Sequence, residues 1–208
     1  MNYVELCANI QDYTENTFTA DELATFTKMA EQRIYNTVQL PNLRKNVTGV
    51  TTAGNKYLSC PTDFLAVYSL AIIKPDDSYE FLLNKDVNFI RQAYPSPSDT
   101  GVPKYYALFG PSYSNSDELS FILGPTPDAA YTVELHYFFY PESITTAADG
   151  RTWLGDNFDS VLLYGSLVEA YTFMKGEADM VTLYNTKYNE ALALAKRLGD
   201  GMERQDAY

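Results

Sequence analysis

The chain is predicted to be an α+β protein. N- and C-terminal segments are expected to form an α-helical bundle, with an antiparallel β-sandwich or barrel-like domain inserted between them. Three observations carry this. Apolar residues recur at helical spacing before Pro41. They alternate in short runs, separated by turn residues, from Leu43 to Tyr140. They return to helical spacing from Phe158. Neither helical segment holds enough helices for a bundle alone, so the economical arrangement packs the two together. The boundaries read 1–42 for the N-terminal helical part, 43–150 for the inserted domain, 151–199 for a C-terminal helical hairpin and 200–208 for a tail.

The N-terminal part opens with a short helix near Tyr3–Tyr13. A second runs from Ala20 to about Gln39, where Thr19 and Glu22 supply a capping box and Phe18 faces Leu23 as a hydrophobic staple. Leu23, Phe26, Ala30, Ile34 and Val38 form its apolar stripe, and Pro41 helps stop it.

In the β-rich part, "NVTGVTTAGNKYLS" reads as a hairpin turning at Gly54-Asn55. "AVYSLAIIK" is a strand buried on both faces, "KPDDS" a turn, and "YEFLL" the returning strand. Asn84 is read as the cap of a short helix with Val87, Ile90 and Tyr94 inside. "KYYALFG" and "ELSFILG" are strands joined by the polar turn "PSYSNSD", and Leu119, Phe121 and Leu123 share a face. "YTVELHYFFY" supplies the last strand.

The C-terminal part reads as an αα-hairpin. Asp156 or Asn157 caps a helix from Phe158 to about Lys175 that is apolar nearly all round. Gly176 breaks it. The next helix runs from about Ala178 to Leu198, with Met180, Leu183, Tyr184, Lys187, Ala191, Leu194 and Leu198 near one stripe. Gly199 and Gly201 end the pattern. The tail "MERQDAY" has no core of its own and is expected to order on a partner.

Composition narrows the function. The 208 residues are 46% hydrophobic and 20% charged, which is globular usage. The 18 tyrosines each pair an apolar body with a polar tip, which suits assembly surfaces. A formal charge of −12 repels a phosphate backbone, so specific nucleic-acid binding is not expected, while an acidic wall past which DNA slides is compatible with it. No apolar run is long enough to span a membrane, and the first residues, with Glu5 and Asp12, do not read as a secretory signal. Cys7 and Cys60 lack zinc-site spacing and read as reduced, packed thiols.

No catalytic, cofactor or metal signature is present. The chain has no G-x-S-x-G elbow, Walker loop, G-x-G-x-x-G or H-E-x-x-H. Asp156 and Asp159 fall at a helix start, where the macrodipole favours acids, and Asp76-Asp77 fit a solvated turn. The basic pairs Arg44-Lys45 and Lys196-Arg197 make no polybasic patch. "KYYALF" and "YFFY" offer faces on which sugars stack, which keeps a carbohydrate-binding module open as the alternative, tested at Tyr105 and Tyr106. A hydrolase built on carboxylates of the β-rich part is the third reading.

"TADELATFTKMAEQRIYNTVQLPNLR", "YLSCPTDFLAVYSLAI", "LSFILGPTPDAAYTVELHYFFYPESI" and "WLGDNFDSVLLYGSLVEAYTFMKGEADMVTLYNTKYNEALALAKR" together resemble a phage head-to-tail adaptor of the tail tubular protein A type. The likeness covers almost the whole chain. It implies a structural, non-catalytic virion protein that is assembled in the host cytoplasm and needs no cofactor. It implies a dodecameric ring of copies between the portal protein and the tail nozzle protein, through which DNA passes without specific binding. By the same resemblance, Met202, Glu203, Arg204, Gln205, Asp206, Ala207 and Tyr208 are the portal-docking residues.

The sole histidine, His136, lies in the last strand of the β-rich part. Alternation puts Tyr131, Val133, Leu135, Tyr137 and Phe139 on one face, and Thr132, Glu134 and His136 on the other. His136 is therefore expected to be half-exposed rather than a catalytic base. Phe138 and Tyr140 continue the polar face yet are aromatic, so they are the expected subunit or domain contact.

Overall fold

Capping boxes start the first two helices. The computed structural model describes residues 1–38, 40–110 and 119–205, except the side chains of residues 41, 200 and 202–205. In it α1 spans Tyr3–Thr14 behind an Asn2–Glu5 box, and α2 spans Ala20–Tyr35 behind the Thr19–Glu22 box. A 3-10 turn, Pro41–Leu43, leads into β1, Arg44–Val50. Then follow β2 (Tyr57–Ser59), β3 (Ala66–Ile73), β4 (Tyr79–Phe81), β5 (Leu83–Asn84), α3 (Val87–Ala93), β6 (Tyr105–Phe109), β7 (Ser120–Gly124) and β8 (Thr132–Phe138). The chain closes with α4 (Trp153–Asn157), α5 (Asp159–Phe173) and α6 (Ala178–Gln205). The class is α+β. The chain divides into two units, Met1–Leu43 with Tyr140–Tyr208, and Arg44–Phe139.

In the helical unit, α5 lies against α1, α2, α4 and α6. Its Val161, Leu162, Leu167 and Ala170 are fully buried, and each valine or leucine side chain withdrawn from water contributes roughly 1.5–3 kcal/mol. Gly165 lets the helices close in. A methyl group there would stand 3.1 Å from the Ala30 Cβ on α2 and 3.2 Å from the Tyr188 ring on α6. The predicted stripe of α2 is buried throughout, including Val38 beyond the helix end. Phe18 packs edge-on against Phe26 at 5.2 Å, and Phe173 completes the cluster at 5.3 Å from Phe26.

Four helical expectations change. The helix α2 stops at Tyr35, because Asn36 takes the C-cap position. The expected helix from Phe158 is α5, and a short helix that was not expected, α4, precedes it. Neither Asp156 nor Asn157 caps α5: both lie within α4, which Thr152 caps, and Phe158, with non-helical backbone angles and no side-chain cap bond, takes the cap position of α5. The buried face of α6 is Tyr184, Tyr188, Ala191, Leu192 and Ala195, leaving Leu183, Leu194 and Leu198 outside. The predicted stripe merges two neighbouring faces. Finally, α6 runs through Gly199 and Gly201 to Gln205, so residues 200–205 continue the helix.

Glu31, on α2, is 3% exposed and accepts the Ile144 N–H at 2.9 Å. Burial pushes its carboxyl above the usual glutamate range, against the hydrogen bonds of Ile144 and Ser143 and the charge of Lys28. The folded state therefore holds this proton more tightly than the unfolded chain. That stabilisation is complete below the unfolded value of about 4.3 and is lost as pH rises through the raised folded value. Glu31→Gln keeps the acceptor and removes the charge. Calorimetry should find Tm raised near neutral pH, and a shallower fall in Tm from acid to neutral pH than in the parent. A parent-like Tm at every pH would rule out Glu31 as a source of this dependence.

The β unit holds two four-stranded sheets among the described residues, in the orders β1-β8-β3-β4 and β2-β7-β6-β5. All neighbours are antiparallel except β5 and β6. Neither sheet closes into a barrel. Leu70, Ile72, Val133, Leu135 and Tyr137 of the first meet Tyr106, Phe121 and Leu123 of the second in one core. On the far face of the second sheet, Ile90 of α3 covers Ala107 and Ile122. That explains why every residue of β7 is buried.

The expected hairpin over "NVTGVTTAGNKYLS" does not form. β1 pairs with β8 and β2 with β7, so the chain crosses from one sheet to the other around Gly54, whose φ is +77°. Just past β1, the Thr51 N–H donates to the Tyr131 carbonyl beside β8, which holds this arm to the first sheet. Asp86, not Asn84, caps α3, through its side chain to the Asn88 N–H; Asn84 sits in β5. β4 returns on β3 as expected. The "PSYSNSD" turn lies outside the described residues.

Candidate assembly surfaces

His136 is half-buried on the outer face of β8, between Asn46 of β1 and Ser69 of β3. The Asn46 Nδ2 lies 2.9 Å from Glu134 Oε1 and 3.0 Å from His136 Nε2. A carboxylate only accepts, so the amide group facing it must be the NH2. Its second hydrogen points at Nε2, which therefore accepts. Nδ1 then carries the proton and donates to Ser69 Oγ, 3.0 Å away. A general base would need the opposite tautomer, accepting from the serine. The arrangement binds three strands together and does not activate Ser69.

Two further carboxylates of this unit are likewise engaged. Asp63 accepts from Lys45 Nζ and from the Tyr137 hydroxyl, both at 2.8 Å. Burial works against its charge, but these two hydrogen bonds hold its carboxyl below the usual aspartate range. Glu80 pairs with Lys74 at 2.7 Å. Among the described residues, no three His, Cys, Asp or Glu side chains gather as a metal site. Cys7 and Cys60 are not joined by a disulfide.

The two tyrosines chosen to test sugar stacking are covered. Tyr106 is 6% exposed, in the core, and Tyr105 is covered by Phe89 and Tyr94. Strand β6 lies between β7 and β5, with α3 over its outer face, so Tyr105 and Tyr106 pack, while Phe109 at the strand's end is 49% exposed.

The two predicted contact aromatics fall in different units. Phe138 is half-buried beside Tyr68, with the Arg44 guanidinium 5.7 Å from its ring. Tyr140, in the helical unit, donates a short hydrogen bond to Asn36 Oδ1 and leans on Tyr35. Both have partners within the chain. Of the predicted docking residues, Met202, Glu203, Arg204 and Gln205 form the last turn of α6. Asp206, Ala207 and Tyr208 lie outside the described residues.

A model of the SU10 adaptor protein family matches residues 1–207. The chain belongs to that family. No curated protein matches it. As an SU10 adaptor protein it is a structural adaptor of a phage virion, and its work is contact with other phage structural proteins. No described helix is long and apolar enough to cross a membrane.

Apolar side chains left in water mark where such contacts can form. Among the described residues of this SU10 adaptor, two sets bear on assembly. On α6, Leu183, Leu194 and Leu198 share one outward face with the Lys187–Glu190 ion pair between them. On the first sheet, Tyr79 and Phe81 of the edge strand β4 are 51% and 63% exposed and stack on each other at 6.2 Å. At the opposite edge, Lys45–Val50 of β1 are all exposed. Sequence reasoning missed both sets. The leucines of α6 recur at 183, 194 and 198, spacings of one helical face, but they sit beside 184, 188, 191 and 195 on the next. The edge role of β1 was hidden by the assumed hairpin, which gave it β2 as a neighbour where the structure has β8.

Proposed function

We propose that this chain is a head-to-tail adaptor of the tail tubular protein A type, without a reaction of its own. Copies form a dodecameric ring between the portal protein and the tail nozzle protein, and the ring surrounds the channel through which DNA leaves. The observation that carries the reading is a family match over residues 1–207, which takes in both units. Exposed apolar side chains on each unit supply surface for a neighbour or a partner. A net charge of −12 suits a channel wall that DNA must pass without adhering. The end of α6 and the residues after it, Met202–Tyr208, dock on the portal.

Deleting Met202–Tyr208 tests this. The deletion removes the last turn of a 28-residue helix. Buried side chains of α6 such as Tyr188, Leu192 and Ala195 all lie before the cut, so Tm should fall little. Sedimentation with purified portal rings should show affinity reduced at least about tenfold, which is about 1.4 kcal/mol. Normal binding by the shortened chain would remove the docking assignment.

A further inference from the structure

The two outer strands of the first sheet are complementary to each other. In the order β1-β8-β3-β4 every neighbour is antiparallel, so β4 runs opposite to β1. A β4 strand from a second copy, laid beside β1, continues the alternation with both sheet faces preserved. We propose that copies of this chain join by that pairing, β1 of one copy to β4 of the next. The proposal deepens the adaptor reading by naming where copies meet, and its ring rests on that reading; the pairing itself rests on the two edges.

Side chains set the register. Lys45 lies opposite Tyr137 and Glu80 opposite Ile72, so both occupy the core-side face of the sheet. Placing Glu80 opposite Lys45 extends two existing ion pairs, Lys45–Asp63 and Lys74–Glu80, each within 2.8 Å, into one alternating row. Opposite charges directly across a ladder are favourable. Sliding the strand by two residues would instead put Glu80 over Val47. That position is the rim of an apolar cavity of about 280 Å³, lined by Leu58, Cys60 and Phe121, where an unpaired carboxylate is costly. With Glu80 opposite Lys45, Tyr79 faces Asn46 on the outer side. Two aromatic side chains more than half exposed, Tyr79 and Phe81, gain cover.

Exposed edge strands are templates for pairing, and proteins usually shield them. Among the described residues, the backbone of Lys45–Val50 bonds to β8 and to no other segment. β1 and β4 are different surfaces, so the contact is head-to-tail. Such contacts make rings when the rotation closes. The competing contact, β1 against β1 about a two-fold axis with Val47 facing Val47, places Lys45 opposite Gly49 and gains no ion pair.

Cross-linking decides the matter. Two variants are made in a Cys7→Ser, Cys60→Ala background, one with Asn46→Cys and one with Tyr79→Cys. Each is checked for a parent-like thermal transition. They are mixed and oxidised, both free at high concentration and bound to portal rings. The expected product is the mixed disulfide between positions 46 and 79, with little product from either variant alone. Adding Glu80→Lys should lower the yield about fivefold or more, and Lys45→Glu together with Glu80→Lys should restore it. A self-linked Asn46→Cys product in preference to the mixed one would overturn the pairing. So would no cross-link in either setting. Chains that bind portal without cross-linking leave the adaptor reading standing and remove this one; chains that cross-link without binding portal do the reverse.

Discussion

Arg33→Ala is expected to cost the helical unit about 3–5 kcal/mol, more than Glu169→Ala. The two side chains form a short ion pair between α2 and α5. Their exposures differ, 41% for Arg33 and 10% for Glu169. Removing the arginine strands a carboxylate that water hardly reaches. Removing the glutamate leaves a guanidinium that can rehydrate, at about 2 kcal/mol. Arg33 also lies 5.7 Å from the centre of the Tyr188 ring on α6, so its loss loosens a third helix. Thermal unfolding should show Arg33→Ala lowering Tm by about 6–20 °C. Replacing both residues by apolar ones of similar volume should recover most of that, because the pair links helices whose surroundings are otherwise hydrophobic. Equal losses from the two single variants would show that the charge left behind does not set the cost.

Phe121→Ala should damage the β unit as much, by about 3–5 kcal/mol. Phe121 is fully buried on β7 and meets Phe64 and Tyr106 edge-to-face, each at 5.6 Å. Each such pair adds about 0.5–1.5 kcal/mol to the burial of the ring. The ring also walls one side of the 280 Å³ cavity, so alanine enlarges a void that its neighbours already fail to fill. Phe121→Leu should cost about 1.5 kcal/mol, since most of the volume is kept. Urea denaturation of both variants measures the difference, and near-equal midpoints would show that the neighbours collapse into the space.

These residues also show what the sequence can carry. The start of α2 was legible because its signal is local: Thr19 and Glu22 satisfy each other's backbone three residues apart. The inner face of β8 was legible because strand period is fixed, and Val133, Leu135 and Tyr137 are indeed buried. His136 sits on the other face, half-buried, as the alternation requires. The route of the chain between sheets was not legible. "AGNK" has the residues of a hairpin turn, and only long-range pairing, Val47 with Leu135 and Leu58 with Phe121, sends its two arms to different sheets. The start of the long helix at Phe158 was legible, but the short helix before it was not: α4 is only five residues long, and its Trp153 packs on Phe158 just past its end. The assembly surfaces were the least legible. Tyr79, Phe81 and Leu194 have the same composition as core residues, and only burial separates them.

The last turns of α6 hold a reserve of length. At about 1.5 Å per residue, residues 199–205 span about 10 Å as helix, and drawn out at about 3.4 Å per residue they span about 24 Å. Two glycines, Gly199 and Gly201, sit in this stretch, each roughly 1 kcal/mol less favourable to helix than alanine, and Gly201 has open space where a Cβ would stand. Unwinding is thus cheaper here than anywhere else along the helix. The terminus can trade coil for reach, which sets how far from the helical unit its last residues can make contact.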